Sequence, residues 1–276
     1  MTQPTPSARS VAFIGGGNMA AALIGGLRKS GTPAARILVI EPSAAQRQRL
    51  LDEFGVSART AADAALADAA LVVWAVKPQF FAEAAAPCAP FVGGALQLSV
   101  MAGIRSQAIA RASGSERVVR SMPNTPALIG RGIAGLYARE AVGATERAQV
   151  EALLAPTGAT LWVAREDDLD AVTALSGSGP AYVFYLVEAM MAAAVKMGLS
   201  EAQGRTLALA TVDGATQLAL QSPLRPAELR SQVTSKGGTT HAAISSMEAA
   251  GVAAAVVTAI VAAQRRAAEL GDEFGG

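Results

Sequence analysis

The first 165 residues alternate short apolar runs with helix-like segments, whereas the rest of the chain has only helix-like segments. Most of these apolar runs show no polar alternation, and they occupy residues 11–14, 37–40, 71–76, 95–100, 118–122, 133–137 and 160–163. Strands of this kind belong to largely parallel sheets that helices cover on both faces. The strand signals stop after Glu166. The sequence therefore predicts an α/β domain at residues 1–165 and an all-α domain at residues 166–276.

A glycine-rich turn lies between the first predicted strand and the first predicted helix, where the sequence reads Gly15-x-Gly17-x-x-Ala20. The first glycine permits the turn, Gly17 lets a pyrophosphate approach the backbone, and the small Ala20 lets the helix pack closely. This position predicts the dinucleotide site of a Rossmann-type doubly wound sheet, with Gly15, Gly17, Asn18 and Met19 near the cofactor. The alternative is a tight turn in a protein that binds no nucleotide.

The end of the second predicted strand bears on the choice of cofactor. Glu41 follows this strand, and an acid at this position commonly bonds the ribose hydroxyls of NAD and would repel the 2′-phosphate of NADP. However, Ser43 can donate a hydrogen bond to a phosphate, and Arg47 lies about one helical turn farther along. We therefore expect NADPH at a site that includes Glu41 and Ser43, with NADH as the alternative.

The residues after two further strands are predicted to lie at the nicotinamide half of the dinucleotide site. Ala75, Val76, Lys77 and Pro78 follow one strand, and the carboxyl ends of such strands line the cofactor crevice. Lys77 would contact ribose or phosphate, unless it is an ordinary surface lysine. Asn124 follows a later strand between two prolines and would help to close the pocket, although the same residues also suit a simple turn.

The second half contains two turns that are rich in glycine and hydroxyl side chains, at residues 175–181 and 233–240. Each precedes a predicted helix, whose N-terminus presents unpaired N–H groups and a positive dipole end to an anion. Residues 233–240 alone would suit a phosphate, a carboxylate or a plain helix cap. Because the first glycine turn would take the pyrophosphate, we expect a substrate carboxylate here. The two turns supply the predicted substrate-binding residues Ser176, Gly177, Ser178, Thr234, Ser235, Gly237, Gly238, Thr239 and Thr240.

The composition excludes several classes of function. Lys and Arg total 23 against 22 Asp and Glu, so the net charge of +1 predicts neither a nucleic-acid nor a membrane partner. The single cysteine excludes an internal disulfide and, with no secretory leader visible, predicts a cytoplasmic protein. One histidine and one cysteine leave little material for a metal site or a catalytic triad. We assign no metal and no acid or base, and we interpret His241 as a first-turn helix residue.

The chain resembles the pyrroline-5-carboxylate reductase family over nearly its whole length. Shared segments are residues 13–19, 75–78, 122–126 and 174–182. The most specific match is a spaced signature made of Pro226, Leu229, Val233, Thr234, Ser235, Gly237, Gly238, Thr240, Ala243, Ile244, Met247 and Glu248. Lys236 stands where many members have proline, and Glu41 where many have a small polar residue.

The resemblance implies reduction of 1-pyrroline-5-carboxylate to L-proline by hydride transfer from NAD(P)H, the last step of proline biosynthesis. It also implies a C-terminal helical dimerisation domain, in a dimer or a higher oligomer. Residues 181–195 carry one charge and residues 252–263 none, so these helices need a partner surface to cover them.

The sequence leaves two alternative functions open. A 3-hydroxyacid dehydrogenase would need a lysine near the 176–180 turn, whereas Lys196 lies about 24 Å along the helix. A non-enzymatic NAD(P) sensor that dimerises would not need the 233–240 turn.

Overall fold

A computed structural model describes residues 10–274 of the chain. They divide into two compact units. One unit runs up to Gly177 and also includes the end of the chain from Ala263, and the other is Ser178–Ala262.

The first unit is built on one eight-stranded sheet. Its strands follow the order β3-β2-β1-β4-β5-β6-β7-β8. In chain order they are β1 (Ser10–Ile14), β2 (Ile37–Ile40), β3 (Ala58–Arg59), β4 (Ala69–Trp74), β5 (Leu96–Ser99), β6 (Val118–Met122), β7 (Gly132–Ala138) and β8 (Gly158–Trp162). The first six strands are parallel, and their order is typical of dinucleotide-binding folds. The predicted doubly wound α/β sheet is confirmed.

The sheet departs from the predicted pattern at both ends. β3 is a two-residue strand, too short to give a pattern in the sequence. β7 runs antiparallel to β6 because only a short turn, Thr125–Ile129, lies between them, whereas a parallel crossover needs a dozen or more residues.

Helices cover both faces of this sheet. They are α1 (Asn18–Lys29), α2 (Ala44–Phe54), α3 (Phe81–Ala85), α4 (Ala89–Val92), α5 (Ser106–Ser113), α6 (Ala144–Leu154) and, after the sheet, α7 (Asp168–Val172). One apolar cluster packs Leu23, Leu50 and Val73 on one face, and the other packs Ile109 and Trp74 on the opposite face. All five side chains are fully buried. Neighbouring Val73 and Trp74 point to opposite faces, as the period of a strand requires.

The second unit is entirely helical. A π-helical turn, Thr173–Gly177, precedes it, and the later helices are α8 (Gly179–Lys196), α9 (Glu201–Gln221), α10 (Pro226–Gln232), α11 (Thr239–Ala249) and α12 (Val252–Phe274). The part of α12 from Ala263 onward belongs to the first unit. Gly204 of α9 lets this helix approach α8, because a Cβ on Gly204 would lie 2.9 Å from the Cβ of Ala194. The predicted all-α second domain is confirmed.

The helices of the second unit leave large apolar side chains exposed. On α8, Phe184 is 60% exposed and Tyr185 is 76% exposed, and Leu218 on α9 is 60% exposed. By length and composition, Asp168–Lys196 could cross a membrane, and the bent pair Thr239–Ala249 and Val252–Glu273 would be a second such span. Only about a tenth of the first span is buried within the chain. The helices of this unit therefore leave several large apolar side chains exposed within the single chain.

Candidate functional site: a dinucleotide crevice and a helix N-terminus

The carboxyl ends of β1, β2 and β4 surround a cleft of about 620 Å³ in the first unit. This is the edge of a doubly wound sheet where nucleotides bind. Six of the predicted cofactor residues line this cleft, namely Gly15, Gly17, Glu41, Ala75, Val76 and Lys77. The structure thus brings three separate strand ends of the predicted site together.

Gly15 and Gly17 of the first turn are glycines for different structural reasons. Gly15 has φ +100°, and a Cβ on it would lie 2.6 Å from the carbonyl oxygen of Ala75. Gly17 precedes α1 with φ −69°, and a Cβ there would meet nothing within 4 Å. Gly15 is therefore required by the fold, whereas at Gly17 the missing side chain leaves space for a ligand over the helix N-terminus.

The carboxylate of Glu41 is held inside the chain. Its Oε2 accepts a hydrogen bond from the N–H of Gly16 at 2.7 Å, and its Oε1 accepts one from the N–H of Ser43 at 2.7 Å. Glu41 as a whole residue is 9% exposed. Arg47 donates to the carbonyl oxygens of Glu41 and Pro42, at 2.9 Å and 2.6 Å. Glu41 thus braces the glycine turn with both carboxylate oxygens, which the sequence alone did not indicate.

Other predicted cofactor residues lie beside this cleft. Asn18 and Met19 are the first two residues of α1, and the Oδ1 of Asn18 accepts a hydrogen bond from Arg49 at 2.9 Å. Ser43 caps α2, and Pro78 begins the turn that follows Lys77.

Sequence reasoning missed one wall of the cleft, which consists of Thr60, Ala61, Ala62, Phe80, Glu83, Ala84, Pro87 and Cys88. Thr60 follows the two-residue β3, which gave no signal. Phe80 and Cys88 lie on the segments after β4, so the strand end at Lys77 could have indicated them. Burial raises the pKa of the Cys88 thiol to about 11, so this cysteine stays protonated near neutral pH.

Asn124 lies next to the first predicted substrate turn. Its Nδ2 donates to the carbonyl oxygen of Ser176 at 3.2 Å, and its Oδ1 accepts from the N–H of Ile133 at 3.1 Å. A Cβ on Gly177 would lie 2.7 Å from Cε of Met122. Asn124 and Ser176, which the sequence assigned to cofactor and substrate respectively, are therefore neighbours. Ser178 begins the second unit.

The second predicted substrate turn lies in the second unit and leads into α11. Gly237 has φ +79°, and Gly238 occupies the N-cap position without a side-chain cap. The N–H of Gly238 donates to the carbonyl oxygen of Ser235 at 3.0 Å, and the first N–H with a helical acceptor is that of Ala242. The N–H groups of Thr239, Thr240 and His241 therefore have no acceptor within the helix, as is general for the first turn of a helix. The hydroxyl of Thr234 donates to the carbonyl oxygen of Arg230 at 2.6 Å, which ties the start of this turn to α10.

Metal ligands are not grouped in the described part of the chain. Among residues 10–274, no three His, Cys, Asp or Glu side chains lie together in a way that could hold a metal ion.

Comparison with known proteins agrees with both halves of this arrangement. Residues 166–270 match the family model for pyrroline-5-carboxylate reductase dimerisation, and residues 10–103 match that of the coenzyme F420-dependent NADP oxidoreductases. The match to a dimerisation domain supports self-association.

Individual relatives match along almost the whole chain. The pyrroline-5-carboxylate reductase of Pseudomonas aeruginosa is 47% identical over 96% of this chain and 98% of its own length. That of Haemophilus influenzae is 40% identical over 87% of this chain and 89% of its own. The solved structure of a pyrroline-5-carboxylate reductase from Coxiella burnetii superposes with a TM-score of 0.89, at 34% identity, over 96% of this chain and 99% of that one. On this similarity the chain belongs to the pyrroline-5-carboxylate reductase family.

Proposed function

We propose that the protein reduces 1-pyrroline-5-carboxylate to L-proline, with NADPH as hydride donor, in the last step of proline biosynthesis. The observation that carries the proposal is the combination of two sites for different anions on one chain. The Gly15–Gly17 turn suits a pyrophosphate, and the free N-terminus of α11 suits a carboxylate. The 47% identity to a reductase of this name, along nearly the whole chain, supports the same substrate.

The reaction requires little chemistry from protein side chains. When bound, the dinucleotide supplies the hydride, and a protonated cyclic imine is already an activated electrophile. The chain must therefore hold the ring by its carboxylate and present one face of the C=N bond to the nicotinamide. Binding and orientation of this kind account for a large part of the barrier reduction in many enzymes. We assign no side chain as proton donor.

The substrate carboxylate is proposed to bind at residues 234–240. The amides of Thr239 and Thr240, which have no helical acceptor, point to this role, and the Thr240 hydroxyl adds a further donor. Ser176, Gly177, Ser178, Thr234 and Ser235 are proposed as further substrate-binding residues.

Replacing Thr240 with alanine should lower kcat/KM for pyrroline-5-carboxylate by about ten- to a hundredfold, because a hydrogen bond to a charged acceptor contributes about 1.5 to 3 kcal/mol. Steady-state kinetics with NADPH measures this. Thr216→Ala is the matched control, since the Thr216 hydroxyl only donates to the carbonyl oxygen of Val212 within α9. Equal kcat/KM in the Thr240 variant and the control would contradict the carboxylate role.

The cofactor is proposed to be NADPH rather than NADH. Each oxygen of the Glu41 carboxylate already accepts a hydrogen bond, from the N–H of Gly16 or of Ser43, which leaves fewer lone pairs for the 2′-hydroxyl of NAD. The match of residues 10–103 to NADP oxidoreductases supports this choice. A pyrroline carboxylate reductase from Plasmodium falciparum, 26% identical over 96% of this chain and 98% of its own, with a TM-score of 0.84, was solved with NADP bound.

We expect kcat/KM to be about tenfold or more higher with NADPH than with NADH, which corresponds to one hydrogen bond to the charged 2′-phosphate. Parallel assays at matched substrate concentration measure the ratio. A ratio of one or below would overturn the NADPH assignment while leaving the substrate assignment intact.

The working state is proposed to be a homodimer or a higher oligomer that forms through the helices of residues 166–276. The exposed faces of α8 and α9 support this, since Phe184, Tyr185 and Leu218 would otherwise face water. The dinucleotide-binding domain is proposed to end at residue 165, where the helical domain begins. A cytoplasmic location, without nucleic-acid or membrane partners, remains a prediction from the composition.

Light scattering at micromolar concentration should give at least twice the chain mass of 27.9 kDa. Tyr185→Asp should shift the protein toward the monomer, because it would bury a charge in the interface. Leu51→Asp serves as the control, since Leu51 is an exposed apolar residue of the first unit. A monomeric wild-type protein would contradict this proposal.

A further inference from the structure

The carboxamide of Asn124 joins two segments that are far apart in the sequence. Its Oδ1 accepts a hydrogen bond from the N–H of Ile133 at 3.1 Å, and its Nδ2 donates to the carbonyl oxygen of Ser176 at 3.2 Å. Ile133 belongs to β7 of the central sheet, whereas Ser176 belongs to the π-helical turn Thr173–Gly177. One side chain thus connects a rigid strand to a proposed substrate turn.

Asn124 does not use its side chain in the way that its position favours. It is the N-cap residue of the short turn Thr125–Ile129, where asparagine usually caps the following N–H groups, yet no side-chain capping bond forms. Its two polar atoms bond instead to residues 9 and 52 positions away in the sequence.

Side-chain packing also holds the turn Thr173–Gly177, in addition to the hydrogen bond from Asn124 to Ser176. Gly177 lies so close to Met122, the last residue of β6, that a Cβ on it would be 2.7 Å from Cε of Met122. The hydroxyl of Ser176 donates to the carbonyl oxygen of Val172 at 3.2 Å, so this side chain is held by its own helix. Single π-helical turns are frequent at functional sites. Asn124 and Met122 together fix the turn at the end of β6.

We propose that Asn124 is a positioning residue for the reaction, which acts through the carbonyl of Ser176 rather than by binding the dinucleotide. Its donor group holds the turn of Ser176 and Gly177 at the carboxyl end of β6, and that turn then sets the position of the substrate ring. This inference rests on the proposed function. A displacement of about 1 Å at such a site can cost a hundredfold in rate.

Two substitutions separate the two hydrogen bonds of Asn124. Asn124→Asp keeps an acceptor for Ile133 but places a carboxylate against the carbonyl of Ser176, whereas Asn124→Ala removes both bonds. We expect both variants to lose about ten- to a hundredfold in kcat/KM for pyrroline-5-carboxylate. The Kd for NADPH, measured by fluorescence without substrate, should stay within about twofold of wild type. Gln107→Glu, the same amide-to-acid change at an exposed residue of this unit, should leave both constants unchanged.

Amide hydrogen exchange tests the link without any turnover. Residues 173–177 should exchange faster in both Asn124 variants, and the N–H of Ile133 should exchange faster only in Asn124→Ala. Wild-type kinetics in Asn124→Asp, or unchanged exchange at residues 173–177, would overturn the inference. A rise in the Kd for NADPH that matches the kinetic loss would also overturn it and would make Asn124 a cofactor contact. If the wild-type protein does not turn over pyrroline-5-carboxylate, the proposed function fails, and the exchange pattern still decides whether Asn124 holds the turn.

Discussion

Replacing Gly15 with alanine is expected to lower the free energy of unfolding by about 2 to 6 kcal/mol and to abolish measurable NADPH binding. The residue has φ +100°, a conformation that costs a side-chain-bearing residue about 1 to 3 kcal/mol. The added methyl group would also lie 2.6 Å from the backbone oxygen of Ala75 and 3.1 Å from Cγ1 of Val76. Since backbone cannot move aside cheaply, overpacking adds about 1 to 3 kcal/mol. Urea unfolding at one fixed protomer concentration measures the change in stability.

Gly17→Ala is the matched variant, because the same methyl group there enters open space at φ −69°. We expect its unfolding free energy to stay within about 1 kcal/mol of wild type. Its Kd for NADPH should nevertheless rise about ten- to a hundredfold, because the methyl group occupies space needed by the pyrophosphate. If both variants bind NADPH as wild type does, the 15–17 turn is not the pyrophosphate site.

Glu166→Ala is expected to lower the free energy of unfolding by about 3 to 5 kcal/mol, because it removes the partner of a buried cation. Arg120 on β6 is 4% exposed, and its Nη1 lies 2.8 Å from Oε1 of Glu166. The same carboxylate accepts hydrogen bonds from the N–H and the hydroxyl of Ser106, the first residue of α5. The anion therefore also stabilises a helix N-terminus.

Glu53→Ala is the control for this prediction, since Glu53 pairs with Arg49 on the exposed face of α2 and should contribute less than about 1 kcal/mol. An Arg120→Met, Glu166→Leu double variant should be more stable than Glu166→Ala alone, because it leaves no unpaired buried charge. Equal losses for Glu166→Ala and Glu53→Ala would show that the buried pair is not important for the fold.

The same carboxylate predicts a loss of stability in acid. Burial raises the pKa of Glu166, but the hydrogen bonds from Ser106 and the charge of Arg120 outweigh this effect, so its pKa lies below the usual range. The contribution of Glu166 to stability is therefore fully present above the pKa of the unfolded chain and is lost as the pH falls through the lower, folded value. The Glu166→Ala variant should show a smaller loss over that acid range.

Much of the fold follows from the sequence because most strands of the first unit are largely apolar runs separated by helix-like segments. All seven predicted strands occur, and the chain after Glu166 is helical without strands up to residue 274, as predicted. The two-residue β3 was missed because two residues carry no period. The reversal of β7 was missed because direction depends on the length of the connection and not on the strand itself.

The candidate site was only partly predictable, because side-chain partners are a matter of three-dimensional neighbours. Glycine and hydroxyl patterns predicted turns that lead into α1 and α11, and the structure has a glycine turn at each of these places. No pattern indicated that Glu41 would turn inward to the amides of Gly16 and Ser43, or that Glu166 would bond Arg120 and Ser106. Except for the local contact with Ser43, these contacts join residues that are 25 to 60 positions from each other in the sequence.

The most direct test of the whole account is the oxidation of NADPH by the purified wild-type protein when 1-pyrroline-5-carboxylate is added. We predict that absorbance at the NADPH band falls only in the presence of this substrate and that L-proline forms in equal molar amount. 3-Hydroxyisobutyrate with NAD, which a related dehydrogenase would use, should give no reaction. NADPH that binds to the protein but is not consumed with pyrroline-5-carboxylate would contradict the reductase assignment and favour a nucleotide sensor.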